Sequence, residues 1–246
     1  MKSSILILFF CLHSVVLCEE ERFIEANEYY SIEEYSEAIK VYEDILKNGE
    51  HANVYYNLGN SYFRVGDIGN SIWAYEKALK LSPRDSDINF NLKYLRFMVK
   101  DKILPPEDIY LISLYKSLVL KFSFTDILFL LGFIFMFLSI KYLINQYFNF
   151  LIYFNGFINY TSIVFLLIFS WMALDKYWDI SDINHGIITS SAVDVRSSPL
   201  DRGDNVVFRI HEGTKVEIQN IQSGWSEIML LDGKKGWIFS KGVRQI

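Results

Sequence analysis

A chain of 246 residues has room for one large domain or several small ones, and its 51% apolar and 17% aromatic content argues against one soluble globule. Residues 19–108 hold 18 acidic against 11 basic side chains, residues 109–174 one against three, and residues 175–246 ten against nine. A net-acidic front half lacks the Lys/Arg footprint that phosphate contacts require, which argues against a nucleic-acid partner.

Residues 1–18 read as an export signal: Lys2 is the positive start, Ile5 to Phe10 the apolar core, and Cys18 a small residue before Glu19-Glu20-Glu21. The apolar run is short for a spanning helix. Cleavage after Cys18 is expected. Acylation of Cys18, for which Leu17 is a poor preceding residue, and an uncleaved anchor are the competing readings. Cys11 and Cys18 are the only cysteines, so cleavage there leaves no thiol, disulfide or thiol switch.

Residues 19–101 carry a helical repeat. The clearest unit, Ala52 to Asp85, places Tyr55, Leu58-Gly59, Tyr62, Ser71, Tyr75, Ala78 and Pro83 at the spacing of the tetratricopeptide pattern. Gly59 and Ser71 are small where two antiparallel helices must approach, and Pro83 ends the second helix. A shift of 33 residues back gives a weaker copy, with Ala26, Tyr29, Ala38 and Tyr42. A shift of 34 forward gives one helix, Asn91-Leu92 onward to about Lys100, which reads as a cap on the open end of the stack. The geometry of such stacks turns Phe23, Asn27 and Tyr30, then Tyr56, Asn60, Phe63 and Arg64, then Phe90 and Tyr94 into the groove. The two asparagines at one register are candidates for holding a peptide backbone, because each amide donates and accepts. The alternative is that the aromatics are inter-helix core and the amides merely solvated.

Residues 102–121 read as a juxtamembrane linker containing Pro105-Pro106. Residues 122–143 form a first predicted transmembrane helix. Its 19-residue apolar run 122–140, between Lys121 and Lys141, reaches roughly 28 Å as a helix, close to one hydrocarbon core. Residues 144–156, with Asn145, Gln146, Asn149 and Asn155, read as a short loop. Residues 157–174 are the second predicted span, with Trp171, Tyr177 and Trp178 as interface anchors. Neither run carries the polar stripe of a soluble amphipathic helix. Asp126 is expected at the water boundary, starting its helix.

After a linker over 175–185, residues 186–246 alternate like strands between turn residues. Val193-Asp194-Val195-Arg196-Ser197-Ser198-Pro199, Glu212-Gly213-Thr214-Lys215-Val216, Gly224-Trp225-Ser226-Glu227-Ile228 and Asp232-Gly233-Lys234-Lys235-Gly236-Trp237-Ile238 follow in order. Together they resemble the bacterial SH3-like barrel, whose members often bind cell-wall peptides or proline-containing segments through aromatics. The resemblance points to Trp225 and Trp237 as a ligand face; the competing reading is that both brace the barrel.

Nothing in the sequence assembles a catalytic centre. His51, His185 and His211 are isolated, no Gly-rich phosphate loop exists, and no serine sits in a nucleophile elbow. No enzyme activity, cofactor or metal is expected. The fold class expected is therefore a multidomain membrane protein: an all-α tetratricopeptide stack, a two-helix transmembrane hairpin and an all-β SH3-like barrel. That order resembles the BatE-type proteins of bacterial aerotolerance operons. The resemblance implies envelope stress tolerance at the bacterial inner membrane, beside von Willebrand-domain membrane proteins and a MoxR-type ATPase. A cleaved signal and two spans would place both soluble parts in the periplasm. Two functions are expected to compete: a protein-interaction scaffold, and a cell-wall-docking protein whose barrel binds peptidoglycan.

Overall fold

The computed structural model describes residues 20–103, 109–148, 155–181 and 185–246. The expected signal and its cleavage site, Pro105-Pro106 and residues 149–154 of the expected loop lie outside these residues. The chain divides into two compact units, one built from residues 1–106 and 184–246, the other from 107–183.

In the first unit, α1 (residues 20–31), α2 (Tyr35–Ile45), α3 (Ala52–Arg64) and α4 (Ile68–Leu81) make two helical hairpins, and α5 (Ser86–Met98) adds a single helix. The hairpins close where the sequence supplies small residues. A Cβ on Gly59 would meet the Tyr75 ring at 2.9 Å, and the Ser71 hydroxyl donates to the Gly59 carbonyl at 2.7 Å. The starts of α4 and α5 carry side-chain caps, which α2 and α3 lack. Asp67 accepts from the Asn70 amide at 3.0 Å, and Asp85 accepts from those of Asp87 and Ile88 at 2.9 and 3.1 Å. Ala26, Ala38, Leu58, Ala74 and Leu92 are buried in one core, and Ile187 and Ile246 from the far end of the chain belong to it.

The C-terminal part is a sheet of β1 (His185–Ile188), β2 (Ala192–Arg196), β3 (Val206–His211), β4 (Lys215–Gln222), β5 (Trp225–Leu230), β6 (Lys235–Phe239) and β7 (Val243–Gln245). The paired strands are antiparallel, in the order β3-β2-β6-β5-β4-β1-β7. Ile188, Val195, Ile210, Ile228 and Ile238, from five of the strands, share one core. The sheet is nonetheless open, which corrects the closed barrel expected from the sequence. The physical reason lies at β7. It is three residues long, and it turns to the helices instead of to β3, with the Trp73 indole donating to the Gln245 carbonyl at 2.7 Å.

The second unit holds α6 (Tyr110–Val119), α7 (Phe124–Phe148) and α8 (Asn155–Ser181). Within α7 and α8, Phe124–Tyr147 and Gly156–Trp178 are long and apolar enough to cross a membrane. The first runs past the expected boundary at residue 143, because nothing from Tyr142 to Tyr147 breaks a helix and the amides of Asn145 and Gln146 lie at its exposed end. α7 starts on a reciprocal cap, the Ser123 amide donating to Asp126 at 2.9 Å and the Asp126 amide to the Ser123 hydroxyl at 3.1 Å. That bears on the expectation for Asp126: it caps the helix.

Candidate functional site

Two surfaces and one internal seam of the first unit bear on function. On the helical stack, the sequence repeat reappears as a repeated polar relay. Asn27 Oδ1 accepts from the Tyr42 hydroxyl at 2.6 Å and from Asn57 Nδ2 at 2.9 Å. Asn60 Oδ1, 33 residues on, accepts from the Tyr75 hydroxyl at 2.5 Å and from Asn91 Nδ2 at 3.4 Å. Each relay joins the first helix of a unit to its second helix and to the first helix of the next. Burial pushes the Tyr42 phenol up to about 12 and the Tyr75 phenol higher, so both remain donors at neutral pH. The asparagines predicted to hold a ligand thus use their Oδ1 atoms as inter-repeat staples.

What the same face presents is aromatic. Phe23, Tyr30 and Tyr56 are half-buried, Phe63 is more open, and Phe90, Tyr94 and Phe97 are 71%, 53% and 83% exposed. Phe63 and Tyr94 meet edge to face at 6.2 Å between centroids, bridging α3 and α5. Arg64 closes one end, its guanidinium 4.6 Å over the Tyr35 ring and 3.7 Å from Glu33. Phe97 was not among the residues expected here, yet the 34-residue shift that pairs Tyr56 with Phe90 and Asn60 with Tyr94 pairs Phe63 with Phe97. The same shift explains why α5 caps the stack. Where α3 offers Tyr55, Gly59 and Tyr62 to its second helix, α5 offers Asn89, Lys93 and Arg96.

On the sheet, Trp225 lies opposite Phe239, stacked at 4.0 Å, and Trp237 lies opposite both Glu227 and Arg196. Alternation puts Trp225, Glu227 and Trp237 on the face away from Ile228 and Ile238. The two tryptophans therefore share one face, but unequally: Trp225 is buried under Phe239, and Trp237 is half-buried.

The seam joins stack and sheet. Arg244 of β7 lies 3.5 Å over the Trp73 ring and donates to Asn70 at 2.9 Å, to Glu43 at 3.1 Å and to the Tyr62 hydroxyl at 3.2 Å. Glu76 of α4 is buried between Arg96 of α5, with which it is paired, and Lys215 of β4 at 3.4 Å. Burial works to raise the Glu76 carboxyl, but the charges of Lys215 and Arg96 prevail and hold it below the usual carboxylate range. Asp101 accepts from the His211 amide at 2.6 Å, from Nδ1 of the same residue at 3.0 Å and from the Thr214 hydroxyl at 2.9 Å. Gly213, at φ +81°, sits where a Cβ would lie 2.6 Å from Val99 and 2.8 Å from Ile72. Among the described residues no group of three or more His, Cys, Asp or Glu side chains is placed to hold a metal.

Comparison with known proteins identifies one repeat. The tetratricopeptide repeat family model matches residues 52–85, the unit formed by α3 and α4. No curated protein matches the chain. Among solved structures, NlpC2 from Trichomonas vaginalis is similar over 26% of this chain and 25% of its own, at 12% identity and a TM-score of 0.24. The chain spans about a quarter of that protein's length. The chain thus carries a tetratricopeptide repeat, a motif of protein–protein interaction, beside two apolar helices and an antiparallel sheet.

Proposed function

We propose that this protein is a membrane-anchored, non-enzymatic scaffold that holds a protein partner on the aromatic face of α1, α3 and α5. The observation that carries the reading is the contrast within that face. The amide oxygens of Asn27 and Asn60 are bonded inside the stack, while the rings of Phe90, Tyr94 and Phe97 stay open, an arrangement that serves an incoming apolar segment.

Anchoring rests on α7 and α8, few of whose apolar side chains are buried, a surface that is costly in water and at home in hydrocarbon. Connectivity supports the orientation. Segments before and after the two helices make one compact body, so both flanks belong on one side of a bilayer crossed twice. A cleaved signal would make that side extracytoplasmic. We further read the sheet as an SH3-like module with an open edge, and the whole as BatE-type. The partners implied are then von Willebrand-domain membrane proteins and a MoxR-type ATPase system, in envelope stress tolerance. Peptidoglycan docking is the weaker alternative, because Trp225, half of the expected ligand face, is covered by Phe239.

A photocrosslinking amino acid placed at Phe97, and separately at Trp237, tests this in intact cells. The scaffold reading expects a membrane protein captured at position 97. Muropeptide captured at 237 with no protein at 97 would overturn it. A reporter fused after Ile246 that is active only in the cytoplasm would remove the topology.

A further inference from the structure

α6 was expected to be linker, and it is a helix of ten residues with an uneven surface. At about 1.5 Å per residue it covers roughly 15 Å, half of what a span needs. Around its axis the residues divide unevenly, and Tyr110, Ile112 and Leu120 are exposed beside the main apolar row. Tyr115 and Val119 pack on the hairpin, against a small core of Ile127 and Met172. Ser113 and Ser117 lie on the opposite side, and Lys116 lies at the margin beside Tyr115 and Val119, toward Asp175. Between them Leu111, Leu114 and Leu118, spaced i, i+3, i+7, stay 71%, 45% and 46% exposed.

We propose that α6 lies flat in the membrane–water boundary, with Leu111, Leu114 and Leu118 set into lipid at the depth where headgroups meet acyl chains. The inference rests on the spanning reading of α7 and α8. Its level comes from one contact: the Tyr115 hydroxyl donates to Asp175 at 3.0 Å. Asp175 and the capping Asp126 stand at the same end of the hairpin, since the core beside them joins Ile127 of α7 to Met172 of α8. Carboxylates mark where the apolar belt meets water, so a helix tied to Asp175 is held at that plane. Its leucine stripe continues the belt, and Lys116 on α6 with Lys121 just after it puts positive charge near the plane of the headgroups. Lipid is the occupant that fits this continuity.

The full chain, with Cys11→Ser and Cys18→Ala, is labelled with an environment-sensitive fluorophore through Leu111→Cys, Leu118→Cys, Ser113→Cys or Phe133→Cys. It is then reconstituted in phosphatidylcholine–phosphatidylglycerol vesicles. Lipids carrying a nitroxide near the headgroup should quench positions 111 and 118 at least about threefold more than lipids carrying it at the chain end, and should quench 113 little. Position 133, in mid-α7, should show the opposite depth preference. No lipid quenching at 133 defeats the spanning reading itself. Deep quenching at 133 without any at 111 and 118, or with deep quenching there too, overturns the flat placement alone. So does a disulfide between Leu118→Cys of two chains in place of quenching, which would assign the stripe to a second copy.

Discussion

The seam between stack and sheet and the aromatic face of α1, α3 and α5 are built from similar residues and put to opposite use. Both draw on Tyr, Phe or Trp, Asn and Arg. At the seam every cation has an acceptor: Arg244 meets Asn70, Glu43 and Tyr62, and Lys215 meets Glu76. At the aromatic face the Asn–Tyr relays lie one layer down, Arg64 is paired only at one end, and the outermost rings of Phe90 and Phe97 are 71% and 83% exposed. A surface whose polar groups are all answered within the chain is finished by folding. One that closes its polar layer and leaves rings above it is finished only by something else. The comparison also changes what the apolar middle of the sequence is. The hairpin does not separate two independent modules; it interrupts a single body whose halves are joined by salt bridges across more than a hundred residues of sequence.

The strongest way to break the contrast is to strip the seam of charge balance. Arg96→Ala with Lys215→Ala leaves Glu76 buried without a cation, and a loss of about 3 kcal/mol is expected, the low end for a broken buried pair because both cations reach water. Urea unfolding of the detergent-solubilised chain measures it. The pH dependence should change sign. In the parent the Glu76 carboxyl lies below its ordinary value of 4.5, so its contribution is present above that pH and is lost as pH falls through the lower folded value. In the double variant burial acts alone and raises the carboxyl, so part of the loss should return as pH falls. A variant that loses stability at all pH values alike would show that Glu76 is not what the two cations hold. Next in size is Arg244→Lys, which keeps the charge but not the planar fork or its stacking on Trp73. About 2 kcal/mol should be lost, with faster hydrogen exchange in β1 and β7 before the rest of the sheet.

The repeat was legible because its signals are local and periodic. Gly59, Ser71, Tyr75 and Pro83 announce a helical hairpin within 34 residues, and the caps at Asp67 and Asp85 sit where the pattern ends helices. The apolar helices were legible from length and lack of charge. The seam was not, since its partners lie at sequence separations such as 143 for Glu212 with Gly69 and 201 for Arg244 with Glu43, and nothing in either stretch names the other. The open edge at β7 was hidden for the same reason, because the group that covers it is an indole from α4. Among the candidate site residues, the groove positions followed from register, but register does not say which atom of Asn27 or Asn60 is already used. Only the tyrosines one helix away decide that.

The relays allow a smaller, sharper test of where the closed layer ends. Asn60→Leu should cost about 1–2 kcal/mol by leaving the buried Tyr75 hydroxyl without an acceptor, and Asn27→Leu should cost about as much through Tyr42. Adding Tyr75→Phe to Asn60→Leu should recover much of the loss, because the buried hydroxyl goes with its acceptor, and the half-buried Asn91 amide that both had accepted from keeps the Tyr56 hydroxyl at 3.5 Å. Unequal costs without recovery would mean that the two relays are not the same device.

One layer further out the expected stability effect nearly vanishes. Phe90→Ser with Phe97→Ser removes the two most open rings of the face, neither of which belongs to the buried core. Thermal unfolding should move by no more than the equivalent of about 0.5 kcal/mol, in either direction, as for surface positions generally. Capture of a protein through a photocrosslinker at Phe63, beside the altered positions, should nonetheless fall to background. A large fall in stability would place these rings in the folded core and end their claim as a binding surface. Unchanged capture would mean that the partner engages the protein elsewhere. Stability held with capture lost is the outcome that separates a surface kept for a partner from one that folding merely failed to cover.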